Sequence, residues 1–239
     1  MKRSPVRYFR LNLSRMTVGE LWRACEGNIV AFFVVLPSKI GLGIFTPPYA
    51  AAIKTAWISI DPELIPRAAM KRLSSQVSLL QDEGFSVIDY GETPLLEKVR
   101  EMYSVLMLSK DGLIGVGVFY LREPNKIICA AGLTTRCHDG THIITSSERK
   151  LFNPLKGRSY QHYHELPADH LYAHHVDRLT QAEAQGASFT PYTAQQGISE
   201  SIRMIQEWGN HLVERGVLVE IPDDEVEDIL WHRGDNHGD

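Results

Sequence analysis

Cysteine is scarce in this chain: Cys25, Cys129 and Cys137 are the only three in 239 residues, and no CxxC pair occurs. An odd number without paired spacing argues against a disulfide framework and fits a reducing, cytoplasmic compartment. A basic excess is missing too. The net charge is −4, and nucleic acid is disfavoured as a partner because its binders carry a positive footprint. The short catalytic signatures are also lacking. There is no HExxH and no Gly-x-Ser-x-Gly elbow, and Gly41-Leu42-Gly43 has neither a third glycine nor a Lys-Ser/Thr ending. A spanning helix needs about 20 mostly apolar residues. The longest candidate, Ile29 to Phe45, falls short of that and holds Lys39 near its middle. No internal repeat is present.

What the chain does have is an ordinary globular composition, 44% hydrophobic and 23% charged. Its length suits one large domain that buries roughly 70–75% of its unfolded surface. The charge is uneven. Residues 1–23 carry Lys2, Arg3, Arg7, Arg10, Arg15 and Arg23 against Glu20 alone. The tail from residue 222 carries seven acidic residues against Arg233 alone. The composition divides the chain into a basic then apolar N-terminal segment (1–56), an α+β domain (57–222) and an acidic C-terminal tail (223–239).

In the first segment, Thr17 and Glu20 have capping-box spacing and predict a short helix over about 17–26. Ile29 to Leu36 is an unbroken apolar run, read as a buried strand from Val30 to Leu36 followed by a loop. The competing reading of residues 29–53 is a membrane-embedded or interfacial hairpin behind a basic flank. A signal peptide is disfavoured because the apolar region begins too late.

In the domain, Asp61-Pro62 reads as a helix start and Gly84 as its stop, giving a helix over about 62–83 with Met70, Leu73, Val77 and Leu80 at helical spacing. Phe85 to Tyr90 is a short strand, and Pro94 to Arg100 a loop or helical turn. Met102 to Leu108 is apolar on both faces, which makes it central. Asp111-Gly112 is a hairpin signal, followed by Leu113 to Leu121 with Gly115 and Gly117 on one face, smooth enough for a helix to pack closely. Ile127 to Thr135 and His142 to Ser146 complete four strands of an antiparallel β-meander packed by flanking helices. Asp169 reads as the cap of a helix over about 170–184, and Ile198, Ile202, Ile205, Trp208 and Leu212 predict another over about 196–214 stopped by Gly216. Val217 to Ile221 reads as an edge strand, and residues 223–232 as a short acidic helix.

The order of these features resembles a loosely defined, uncharacterised bacterial family. Its pattern is a helix ending in Gly-Phe (Gly84-Phe85), an antiparallel meander, and an Asp-Gly turn before a Thr-Ser strand (Asp139-Gly140-Thr141, then Thr145-Ser146). The likeness spans about residues 57–180. It implies an α+β fold. An apolar N-terminal segment is frequent in that group, so the likeness also favours the membrane reading of residues 29–53. It implies no activity and no catalytic residues.

The densest concentration of reactive side chains is His162, His164, His170, His174 and His175. Histidine titrates near neutral pH and is the commonest metal ligand. His170 and His174 are four apart and would share a helix face; His162 and His164 are two apart and would share a face of an extended segment. These four are the candidate ligands for zinc or another divalent metal, with Glu165, Asp169 and Asp177 able to orient them. Cys137-His138-Asp139 is compact, but adjacent residues on a turn do not face one another, so it reads as a turn. The expectation is a non-enzymatic binding or interaction domain with a protein or small-molecule partner, associated with the inner membrane face through residues 1–53. The alternative is a metal-dependent hydrolase in which Glu165 activates water. A third reading is a pH sensor charging near pH 6.

Overall fold

The computed structural model describes residues 7–40, 49–50, 57–93, 101–123 and 126–231. In chain order the strands and α-helices are β1 (Phe9–Leu11), α1 (Val18–Ala24), α2 (Ile29–Val35), β2 (Tyr49–Ala50), β3 (Ile58–Ser59), α3 (Arg67–Asp82) and β4 (Ser86–Thr93). Then follow β5 (Glu101–Leu108), β6 (Gly115–Glu123), β7 (Lys126–Arg136), β8 (His142–Ser146) and β9 (Arg158–His162). The chain closes with α4 (Ala168–Ala184), α5 (Ala194–Glu214), β10 (Leu218–Glu220) and α6 (Asp223–Trp231). They form two compact units, a smaller one from residues 1–56, 94–100 and 205–239 and a larger one from 57–93 and 101–204. The division falls inside α5.

The larger unit is an α+β layer. Its sheet runs β3-β4-β5-β6-β7-β8-β9, antiparallel throughout except for the parallel β8–β9 pair. The central position of β5 agrees with its apolar residues on both faces. The Asp111-Gly112 and Asp139-Gly140 turns fall where the sequence places them. Both glycines adopt positive φ, and Asp139 Oδ1 accepts from the Thr141 backbone N–H and hydroxyl.

One face of the sheet carries Val105, Val118 and Ala131 in one row and Met107, Val116 and Leu133 in the next. Leu73, Val77 and Leu80 of α3 and Ala168, Leu171 and Leu179 of α4 join these residues in a single core. Gly115 and Gly117 alternate onto the opposite face, so the helix they were expected to receive packs elsewhere. Among the described residues a Cβ at Gly117 would meet only Leu106 of the neighbouring strand, at 3.8 Å.

Helix α3 begins later than the sequence reading. Asp61 does cap, accepting from Glu63 N–H, but the turn it caps is a 3₁₀ turn over Pro62–Leu64. Pro66 then disfavours the helical conformation at Ile65, and the α-helix starts at Arg67. At the other end Gly84 takes φ +88° and Phe85 N–H reaches back to Leu80 O, as a glycine stop requires. Pro94 to Arg100 lies outside the described residues.

Close packing constrains one glycine sharply. Trp57 lies over Gly91, with its indole N–H donating to Asp89 Oδ2 at 2.8 Å. A Cβ at Gly91 would fall 2.7 Å or less from three indole carbons. Gly91→Ala is therefore expected to displace Trp57 at a cost of about 1–3 kcal/mol. Thermal unfolding with tryptophan emission checks this; an unchanged midpoint and spectrum would contradict it.

The smaller unit holds a three-stranded antiparallel sheet, β10-β1-β2. The edge strand read at Val217 to Ile221 is β10, and its partner β1 was not anticipated. Helix α1 begins with the expected capping box, Thr17 and Glu20 exchanging side-chain and backbone bonds. The apolar run that follows is a correction. Ile29 to Val35 is an α-helix, not a buried strand, because Asn28 Oδ1 accepts from Val30 and Ala31 N–H and nucleates the first turn.

Candidate functional site

Three features of the chain could carry a function: the histidine segment, the sheet face opposite the core, and the surface of α2.

The histidine segment is spread over a strand end, a turn and a helix. His162 ends β9, with Nδ1 3.1 Å from Glu148 O and its ring stacked on Tyr160 at 5.6 Å. His164 lies beyond the strand, so the two do not share a strand face; it is exposed beside Glu165. His170 is exposed beside Asp169 in the first turn of α4, and His174 stacks on Tyr163 at 4.3 Å. Asp169 does not cap α4, because the N-cap position falls on Pro167, which has no side-chain bond to offer. Among the described residues no three His, Cys, Asp or Glu side chains gather closely enough to hold a metal ion.

The fifth histidine, His175, lies on the inner face of α4 and is fully buried. Its Nε2 is 3.0 Å from Thr135 Oγ1 on β7 and its Nδ1 is 2.8 Å from Thr145 Oγ1 on β8. Arg178, one residue short of a helical turn further on, donates to Thr145 Oγ1 at 2.8 Å and to Ser159 Oγ on β9 at 2.8 Å. The network assigns the tautomer: Thr145 accepts from Arg178 and donates to Nδ1, and Nε2–H donates to Thr135. Burial, then the nearby Arg178 cation, push the His175 pKa down to about 3. This imidazole stays neutral across the range in which a sensor would charge. Together with Arg178 it ties α4 to three strands.

The opposite face presents a row in register, Leu106, Gly117, Gly132, Ser146 and His162. Four strand residues along, Arg136, His142 and Arg158 form another row. Buried His142 meets Glu200 of α5 through Nε2 at 2.8 Å, and Arg203 pairs with the same carboxylate. Burial lowers the pKa of His142 despite Glu200. Burial raises that of Glu200, but the hydrogen bonds and charges of Arg203 and His142 pull it below its ordinary value. Desolvation pushes the Glu148 carboxyl up to about 7, although the residue as a whole keeps an exposed surface. The compact triplet Cys137-His138-Asp139 is a turn: Asp139 spends its carboxylate on Thr141, and Cys137 is buried in the core.

The third feature is in the smaller unit. Ile29, Val30, Phe33 and Val34 of α2 are 60%, 69%, 61% and 44% exposed. At i and i+4 spacing, 29 with 33 and 30 with 34 make one continuous stripe. Phe32 turns the other way and meets Trp22 of α1 edge-on at 5.2 Å. Val18 and Trp22, also four apart, are exposed on α1. No charged residue occurs from Gly27 to Ser38. Sequence reasoning found this apolar run but assigned it to the interior. Among the described residues no helix is long and apolar enough to cross a membrane.

Comparison with family models, with curated proteins and with solved structures finds no match for the chain.

Proposed function

We propose that this protein is a non-enzymatic binding domain that seats on the surface of an anionic membrane through the exposed face of α2, leaving the larger unit to engage a partner. The observation that carries the reading is the apolar stripe of Ile29, Val30, Phe33 and Val34 turned toward solvent. Contiguous exposed apolar surface of this kind marks an interaction site rather than an ordinary surface. Charge favours an anionic lipid surface as the occupant. Arg15 stands exposed just before α1, and the acid within that helix, Glu20, is neutralised internally by Arg215. Trp22 supplies the amphipathic ring favoured at a lipid–water boundary. A short helix of this character lies in the interface plane, its apolar face about 5–10 Å into the headgroup and acyl boundary.

The test is co-sedimentation with vesicles of phosphatidylcholine containing phosphatidylglycerol. The native chain is expected to pellet with them and to do so less at high salt. Val30→Asp with Phe33→Asp is expected to reduce partitioning at least about tenfold, since two buried apolar contacts become charges. Both positions are exposed, so folding is unaffected. A native chain that stays in the supernatant, or a double variant that pellets equally, overturns the reading.

A further inference from the structure

Tyr192 follows the loop after α4 and precedes α5. Its backbone N–H donates to Gly112 O at 2.8 Å, which fixes it against the β5–β6 hairpin. The residue is only 6% exposed, yet its hydroxyl has no hydrogen-bond partner among the described residues. Leaving a buried hydroxyl unpaired costs about 1–3 kcal/mol, so such groups ordinarily find an acceptor. The surroundings say what kind. The Arg136 guanidinium lies over the Tyr192 ring, 4.9 Å from its centroid, and among the described residues no carboxylate pairs with it. Arg136 is in register with His142 and Arg158 across β7, β8 and β9, so the three side chains leave the sheet on one face. Glu200 and Arg203 of α5 act electrostatically on the same phenol. Two guanidinium groups, those of Arg136 and Arg203, and one carboxylate therefore act at this corner of the larger unit, and the carboxylate is already engaged by His142 and Arg203.

We propose that Arg136 and Tyr192 form a binding site for a small soluble oxyanion, a phosphate- or carboxylate-bearing molecule whose oxygens accept from the guanidinium and the buried hydroxyl. An anion satisfies the orphaned donor and offsets the excess positive charge in one step, which a neutral or cationic ligand does not. Arg136 is only partly buried and Arg203 keeps about half its side chain in solvent (47%), so the corner can be reached from water. The site is independent of α2 and needs no lipid.

Isothermal titration with inorganic phosphate and, separately, with acetate tests this on the full chain without vesicles and at constant ionic strength. One of the two anions is expected to bind the native chain. Tyr192→Phe and Arg136→Met are each expected to weaken binding about tenfold or more, while Arg122→Met, on an exposed strand end paired with Glu101, leaves it unchanged. Tyr192→Phe deletes only the orphaned hydroxyl, so it folds. Its thermal midpoint is expected to rise less with the anion than the native one does. Heat from neither anion, or equal affinity in Tyr192→Phe, overturns the proposal.

Discussion

Arg215→Met is expected to be the most damaging single change in the smaller unit, costing about 3–5 kcal/mol of stability. The reason is what it leaves behind. Glu20 is fully buried at the start of α1, and its two carboxylate oxygens accept from Arg215 at 2.9 and 2.6 Å. The hydrogen bonds with Glu20 raise the pKa of Arg215 above that of a free guanidinium. Oε2 also accepts from the Thr17 backbone N–H at 2.8 Å, so the same carboxylate closes the capping box and anchors residue 215 to residue 20. Removing the guanidinium strands a buried charge, and stranded charges dominate the cost of breaking such pairs. Arg215 is itself partly exposed, which places the loss toward the lower end of the range. Glu20→Gln with Arg215→Met is expected to recover most of it, because a neutral amide can still serve as the N3 member of the box. Urea denaturation followed by circular dichroism measures both. A single variant within about 1 kcal/mol of native would mean the pair is solvated and carries little.

His175→Leu is expected to cost about 3 kcal/mol, because Thr135 is left buried without its partner and the helix loses its polar tie to the sheet. The pH dependence is more diagnostic than the loss itself. The native imidazole titrates at about 3 whereas the free value is 6.5. Between those limits the unfolded chain holds a proton that the folded chain does not, so acid favours unfolding. The contribution of neutral His175 is fully present above about pH 6.5 and falls by about 1.4 kcal/mol for each unit of acidification toward 3. Glu148 acts with the opposite sign: its raised carboxyl makes the folded chain hold the extra proton between 4.5 and about 7. Comparing native with His175→Gln at each pH isolates the histidine. The difference in stability is expected to shrink by about 2–3 kcal/mol between pH 7 and 4.5. Parallel curves would show that His175 titrates normally and that the network does not hold it neutral.

Much of the larger unit could be read from residues alone, and the reasons are local. The Asp-Gly turns at 111–112 and 139–140 need positive φ at glycine, and both have it. Gly84 and Gly216 stop their helices for the same reason. What escaped was set by tertiary context. β9 reads Arg-Ser-Tyr-Gln-His, without apolar alternation, and only its parallel pairing with β8 makes it a strand. α2 is rich in β-branched residues and favours a strand by propensity, yet the Asn28 cap and the Trp22–Phe32 contact make it helical. Glu20 was legible as a cap and not as a buried ion, because Arg215 is 195 residues away. His175 did leave a signal. Leu171, His175 and Leu179 are spaced by four, so the apolar neighbours placed this histidine inside while the other four invited a metal reading. Tyr192 left none, since an unpaired hydroxyl is visible only once its surroundings are.

The central claim, that α1 and α2 lie against lipid, is tested most directly by tryptophan quenching with lipids brominated along the acyl chains. Trp22 is 40% exposed beside the α2 stripe, so vesicles of anionic brominated lipid are expected to quench the emission of the native chain and to leave that of Trp22→Phe nearly unquenched. Equal quenching in the two chains, or none in either, would contradict the seating of this face on a membrane.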